Sequence, residues 1–315
     1  MIFNMMPPAQ SGGGGGDEIY RSIMDQTITS INDSVATNIR SNIFEYCSSL
    51  TTASFPNCTS IGHYAFAYCY KLTTISFPKC ASVGDYAFYS CSSLTTASFP
   101  SCTSIGSYVF SSCNKLTTAS FPKCTTIGYS AFCNCWSLTT ASFPSCTSIG
   151  NYAFASCSKL TTISFPKCTS AGAFIFGYCS SLTTVSLPNC TTIGNGVFLY
   201  CYKLTTVSLP KAPYISASTF RGCSSLSILS LPSTCSLLNG AYIFSSCWRL
   251  VSLYLYYSSV VKLSSTVASV FGSTPMYNYS TTAGRWGSIY VPSSLLASYK
   301  TATNWSAISS RFASM

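Results

Sequence analysis

Among residues able to move protons, attack carbonyls or hold metals, this chain of 315 residues keeps one histidine, His63, and six carboxylates: Asp17, Glu18, Asp25, Asp33, Glu45 and Asp85. No Asp or Glu follows Asp85. General acid–base catalysis needs a titrating group placed against the reacting atoms, and here a Ser-His-Asp relay could draw only on His63 and Asp85. These two lie 22 residues apart, a step shared by many other residues in the chain. They therefore read as successive occupants of one exposed position rather than as a dyad. Calcium and magnesium sites require several oxygen ligands, carboxylates among them, and the repeated part of the chain supplies none. The expectation is a protein that is not an enzyme and carries no cofactor.

Cysteine is the remaining reactive type, with nineteen residues. As zinc ligands they offer one close pair, Cys133-Asn134-Cys135, with no second pair or His at finger spacing. As disulfides they would have to join equivalent positions of neighbouring coils, where parallel side chains keep Cβ atoms ~4.8 Å apart, wider than the ~3.8 Å of a relaxed bridge. The third reading, a reduced ladder of small buried thiols, is favoured, since free cysteine packs as a small hydrophobe. An odd total leaves at least one thiol unbridged in any case.

Positioning these residues is a repeat. Leu50, Leu72, Leu94, Leu116, Leu138, Leu160, Leu182, Leu204 and Leu226 are each 22 residues apart, and prolines from Pro56 to Pro232 and phenylalanines from Phe66 to Phe220 keep the same step. Cysteine recurs every 11 residues from Cys47 to Cys201. Within one unit, Leu72, Ile75 and Phe77 alternate with small polar residues, which predicts a short strand with one buried face. Pro78, lacking an amide donor, ends it. Val83-Gly84 marks a second extended piece and a turn, and Phe88 is driven inward. No stretch keeps a helical apolar period long enough for an ordinary helix. A single such coil cannot bury its apolar side chains, so coils must stack and the ends need covering.

These features predict a β-rich solenoid: a leucine-rich-repeat-like right-handed coil of about eleven 22-residue repeats with a C-terminal cap. Residues 1–19 form a flexible Gly-rich lead-in, 20–292 the repeat solenoid with a degenerate first coil (Ile28, Ile39, Phe44 and Cys47 in register), and 293–315 the cap. Ile289-Tyr290-Val291-Pro292 echoes the strand-plus-proline signature. Ser293 is expected to cap a short helix through Lys300, with Tyr299 and Trp305 available to cover the last coil.

Cys69, Leu72, Ile75, Phe77, Pro78, Val83, Gly84, Ala87 and Phe88 resemble the BspA-like leucine-rich repeat, whose units run as C-x-x-L-x-x-I-x-L-P-x-x-V-x-x-I-G-x-x-A-F. The resemblance extends from about Gln26 to Trp305, and the terminal Ile289–Ser293, Tyr299-Lys300 and Asn304-Trp305 look like the family's cap. It implies adhesion or contact with a host surface and no reaction. Surface-exported members usually carry a signal peptide. The start Met1-Ile2-Phe3-Asn4-Met5-Met6-Pro7-Pro8, followed by a glycine run, lacks a basic n-region and a long apolar core, so no Sec signal is expected. Repeats of this kind without an export signal resemble tail or fibre proteins of gut bacteriophages and prophages. Their resemblance implies a virion-associated or otherwise extracellular protein, the alternative being cytoplasmic. Leu237–Leu263, the most apolar stretch, is interrupted by Arg249 and Lys262, so no membrane insertion is expected.

The outward strand face is the candidate binding surface. Thr52, Thr74, Thr96, Thr118, Thr140, Thr162, Thr184 and Thr206 form one hydroxyl column with ~4.8 Å between steps. Lys71, Lys115, Lys159 and Lys203 stand 44 residues apart, as do Lys79, Lys123, Lys167 and Lys211, which points to duplication of a two-coil unit. From Cys47 onward fourteen Lys and Arg (sixteen less Arg21 and Arg40) face one acidic residue. Solubilising threonines suited to strands and lysines that block edge association account for the same columns without a ligand. Three functions follow: adhesion to glycans or host-surface proteins, a structural protein forming filaments or homo-oligomers, and binding of anionic polymers including nucleic acid.

Overall fold

The computed structural model describes residues 23–278 and 286–315. The chain divides into two compact units, Met1–Cys146 and Thr147–Met315. The Gly-rich lead-in of residues 1–19 lies outside the described residues.

In the first unit six long strands recur at the 22-residue step: Ser30–Asn32, Thr52–Ser54, Thr74–Ser76, Thr96–Ser98, Thr118–Ser120 and Thr140–Ser142. They pair in parallel, like against like, as two three-stranded sets, with Thr52 opposite Thr74 in the first and Thr118 opposite Thr140 in the second. A two-residue strand follows each of the first five, as in Ser82–Val83 and Ser104–Ile105, and pairs in the same way. The alternation is strict where the sequence demands it: Thr96 and Ser98 face out, while Ala97 and Phe99 are buried.

Inside each coil the leucine and two phenylalanines are sealed. Leu72, Leu94 and Leu116 are fully buried. Phe44, Phe66, Phe88, Phe110 and Phe132 stack ring on ring at 4.9, 5.2, 5.3 and 5.2 Å. Phe55, Phe77, Phe99, Phe121 and Phe143 form a second stack at 5.5, 5.9, 5.2 and 5.3 Å. The two stacks meet edge to face, as Phe66 does with Phe77 at 5.8 Å. Aromatic pairs favour both arrangements over a direct sandwich, so one ring orientation repeated nearly parallel at each step satisfies all neighbours.

The turn after the short strand brings backbone against backbone. A Cβ built on Gly128 would stand 2.5 Å from both the carbonyl carbon and the oxygen of Gly106, atoms that cannot rotate aside. Glycine is required there by close approach and not by its dihedral angles. Gly128→Ala is expected to destabilise the unit by about 1–3 kcal/mol, read as a lowered denaturant midpoint. An unchanged midpoint would mean the coils are less closely stacked at this corner.

Seven long strands build the second unit: Thr162–Ser164, Thr184–Ser186, Thr206–Ser208, Ile228–Leu231, Ser252–Leu255, Ser288–Val291 and Phe312–Ser314. With the six of the first unit, each a parallel β-solenoid, this makes thirteen rows where the sequence predicts about eleven repeats. The two additional rows come after the 22-residue step is lost. Leu253 pairs with Ile289, and Ile289 with Phe312, so the ladder continues across an irregular connection. That connection holds a short helix, Val267–Phe271, whose first turn is capped by the Thr266 hydroxyl accepting from the Ser269 amide at 3.2 Å. The helix delivers Phe271 onto Phe244 at 5.3 Å, so the phenylalanine column persists.

Ser293 does not cap the final helix. Pro292 occupies the N-cap of a 3₁₀ turn over Ser293–Leu295, which leads into the helix Leu296–Thr301, and the Ser293 hydroxyl donates to the Met315 carbonyl at 3.1 Å. The added strand Phe312–Ser314 brings that carbonyl within reach and diverts the hydroxyl. Tyr299 and Trp305 are buried. The Val261 amide donates to the Tyr299 hydroxyl at 2.9 Å and Trp305 Nε1 donates to the Val261 carbonyl at 2.7 Å.

Candidate binding surface

Two threonines open each long strand from Thr52–Ser54 to Thr206–Ser208, and the structure gives them different work. Thr51, Thr73, Thr95, Thr117 and Thr139 turn Oγ1 back to donate to the threonine carbonyl of the preceding coil at 2.8 to 3.4 Å. Thr183 and Thr205 do the same in the second unit. The column beginning at Thr52 points outward: Thr52, Thr74, Thr96, Thr140, Thr162 and Thr206 are exposed, and Thr118 and Thr184 half-buried. In this column only Thr74 Oγ1 has a side-chain hydrogen-bonding neighbour among the described residues, Thr73 Oγ1 at 3.5 Å. Strand alternation marks the outward column in the sequence, whereas the commitment of its neighbour between coils has no sequence signal, because T-T says nothing about which hydroxyl faces a carbonyl.

All eight lysines named above are exposed. Lys71, Lys115, Lys159 and Lys203 stand before the strand of their coil, and Lys79, Lys123, Lys167 and Lys211 after it, so the two columns flank the threonine face. Two of them are held in place. Lys79 Nζ donates to Asn57 Oδ1 at 2.7 Å and Lys211 Nζ to Asn189 Oδ1 at 2.7 Å, one coil back. Each asparagine then donates from Nδ2 to a carbonyl of the coil before, Ser34 and Pro166 respectively, both at 2.7 Å.

On the turn side, tyrosines adopt a conformation bulky residues seldom take. Tyr46, Tyr64, Tyr68, Tyr86 and Tyr108 have positive φ between 55° and 63°, which costs on the order of 1–2 kcal/mol each. Two effects offset it. Their amides donate to the following coil, Tyr64 to the Asp85 carbonyl at 2.9 Å and Tyr68 to the Tyr89 carbonyl at 2.8 Å. Their rings stack, with centroids 4.6 Å apart for Tyr46–Tyr68, Tyr64–Tyr86 and Tyr86–Tyr108. Stacked this closely, the rings show edges and hydroxyls to solvent rather than the faces on which a sugar would lie. Where the column ends in the second unit a glycine takes over: Gly222, at φ +77°, leaves room for the Tyr200 ring, whose Cδ1 would be 2.3 Å from any added Cβ. Arg221 places its guanidinium 5.7 Å from the Tyr200 ring and 5.1 Å from that of Tyr242.

His63 and Asp85 lie in one column. The Asp85 amide donates to His63 Nδ1 at 3.0 Å, and Asp85 Oδ1 accepts from the Ser107 amide at 2.6 Å. Ser41 and Asn151 use their side chains in the same way, accepting from the amides of His63 and Ala173. The position therefore serves to tie one coil to the next.

Every cysteine but the half-buried Cys133 is buried, and all are thiols. One set donates within its own coil, Cys58 to the Ser60 carbonyl at 3.1 Å and Cys102 to that of Ser104 at 3.1 Å. The other reaches one coil back to a phenylalanine carbonyl, Cys91 to Phe66 at 3.1 Å and Cys201 to Phe176 at 3.0 Å. Cys135 belongs to this second set, donating inward to Phe110 at 3.1 Å, so it does not converge with Cys133 on a metal. Among the described residues no group of three or more His, Cys, Asp or Glu could hold one. Burial pushes the thiols up, Cys58 and Cys102 to about 11 and Cys124 to about 12.

Stacked parallel coils with Leu, Phe and Cys columns define a leucine-rich-repeat protein. The chain belongs to the BspA type leucine rich repeat family, whose six-copy repeat region matches residues 37–160 and 125–251. Among solved structures it is similar to a leucine rich cell surface protein from Faecalibacterium prausnitzii A2-165, with 22% identity over 89% of this chain and 90% of that one and a TM-score of 0.42. A leucine-rich repeat protein from Bacteroides ovatus aligns over 91% of both chains at 19% identity and a TM-score of 0.42. The leucine rich repeat protein of T. pallidum shows 26% identity over 54% of this chain and 72% of its own, with a TM-score of 0.40. No curated protein matches the sequence. No helix among the described residues is long and apolar enough to cross a membrane.

Proposed function

We propose that this is a non-enzymatic adhesion protein that meets glycans or host-surface proteins through its long-strand face, displayed on a cell or virion surface. The observation that carries the reading is the division of hydroxyls. The Thr51 column and one of the two thiol sets are spent between coils, whereas the Thr52 column, bordered by exposed lysines, faces outward at a fixed repeat. Regular hydroxyls on a rigid sheet are pre-organised for a partner that repeats, which lowers the ordering cost of binding. Family membership supports a binding role over catalysis. The test is a glycan array together with binding to whole bacterial and epithelial cells, using the full chain. Saturable binding lost on Thr96→Val/Thr118→Val/Thr140→Val substitution is expected, and no binding to any glycan or cell would overturn the proposal.

A further inference from the structure

The two units carry very different charge. The first holds all six carboxylates of the chain and six of its sixteen Lys and Arg, namely Arg21, Arg40, Lys71, Lys79, Lys115 and Lys123. The second holds the other ten and no Asp or Glu. Its cations therefore have no carboxylate side chain of their own unit to pair with, and their field is uncompensated along the whole strand face.

They are also placed. Lys159, Lys203 and Arg249 occupy the same position, just before the long strand of their coils, and are exposed. Lys167 and Lys211 stand beyond the strand. Two coils separate successive cations in each column, ~9.6 Å at the strand spacing. Lys211 is drawn back: its ammonium rests on Asn189 Oδ1, and Asn189 in turn donates to the Pro166 carbonyl, next to Lys167. A neutral amide thus holds one ammonium in the direction of another where an acid would have cancelled it. Between the two cation columns run the outward hydroxyls of Thr162, Thr184 and Thr206.

We propose that the strand face of the second unit binds a linear anionic polysaccharide, one that carries a carboxylate or sulfate every two sugars or so, with its hydroxyls on the threonine column. This rests on the adhesion reading and specifies its partner. Nucleic acid fits less well. Its charges follow at ~3.4 Å along each strand, far closer than the cations here. Single strands are held by bases laid on open aromatic faces, whereas the outward strand positions between Lys159 and Lys167 and between Lys203 and Lys211 are Thr and Ser, and Tyr254 and Tyr256 lie in the coil of Arg249, beyond the last lysine of each column.

Full-length protein is tested against immobilised heparin, polygalacturonate, a neutral dextran and single-stranded poly(dT). Two variants are compared, Lys159→Gln/Lys167→Gln/Lys203→Gln/Lys211→Gln in the second unit and Lys71→Gln/Lys79→Gln/Lys115→Gln/Lys123→Gln in the first. Both remove four exposed charges and leave the core untouched, and unchanged circular dichroism melts verify folding. Expected are binding to the two anionic glycans that weakens with salt, at least a tenfold loss in the second-unit variant and about twofold or less in the first. Equal losses in both variants, or tighter binding to poly(dT) than to either anionic glycan, would overturn the inference. Binding to neutral glycans or to cells without binding to anionic polysaccharide would sink this inference and leave the adhesion reading standing, whereas no binding anywhere would sink both.

Discussion

Raising the pH from about 8 to about 10.5 under reducing conditions should unfold the protein in a steep cooperative transition. In an unfolded chain a thiol ionises near 8.5. In the folded chain burial holds Cys47, Cys58, Cys102 and Cys235 at about 11 and Cys124 and Cys247 at about 12. Cys91, Cys201 and Cys223 are also raised well above the usual thiol range, again by burial first and by neighbouring thiols of their column second. A folded value above the unfolded one means that the native state binds more protons in this window. Stability is then complete below the unfolded value and falls as the pH climbs toward the folded values. Each such thiol contributes a slope of about 1.4 kcal/mol per pH unit, so a handful exceeds the roughly 5–15 kcal/mol that stabilises a typical domain. Cys190 runs the other way, lowered by its hydrogen bond with Cys168, and offsets one member of the set. The measurement is circular dichroism and tryptophan fluorescence against pH with a phosphine reductant. Replacing Cys58, Cys102 and Cys124 by alanine should make the transition shallower by about three protons. A chain still folded at pH 11 would contradict the burial of these thiols.

Phe110→Ala should cost about 4 kcal/mol. The ring is fully buried, stacked between Phe88 at 5.3 Å and Phe132 at 5.2 Å and meeting Phe99 and Phe121 at 5.9 Å each. Its removal breaks contacts in both directions along the column and in the adjacent stack, and rings held by their own neighbours cannot collapse into the space. Phe110→Leu, which refills most of the volume, should lose only about 1.5 kcal/mol. Guanidinium titration followed by circular dichroism separates the two. A loss below about 1 kcal/mol for the alanine variant would mean that the column relaxes freely, against the close packing of protein interiors. Because each coil touches only its neighbours, the loss should be similar at Phe88 and Phe110 and smaller toward the ends.

The coil, its strand and its buried columns were legible because a strict 22-residue step makes every position testable many times over. Leu72, Phe77 and Phe88 are inside for the same reason as Leu94, Phe99 and Phe110. The outward threonines followed from strand alternation, which has a period of two and needs no tertiary information, and the flanking lysines from their 44-residue step. Where the step breaks, so did the reading: the helix Val267–Phe271 and the row Phe312–Ser314 have no repeat partner in sequence, and Ser293 took a carbonyl that only the added strand supplies.

Sequence by itself determined the fold class, the inward and outward faces, and the absence of carboxylates beyond Asp85. Composition and period are properties of the chain alone. Tertiary structure decided which hydroxyl of each T-T pair is spent on the neighbouring coil, that tyrosines at positive φ are held by stacking, and that Asn189 steers Lys211 toward the coil of Lys167. These depend on what lies one coil away, across a gap of ~4.8 Å that 22 residues of sequence separate.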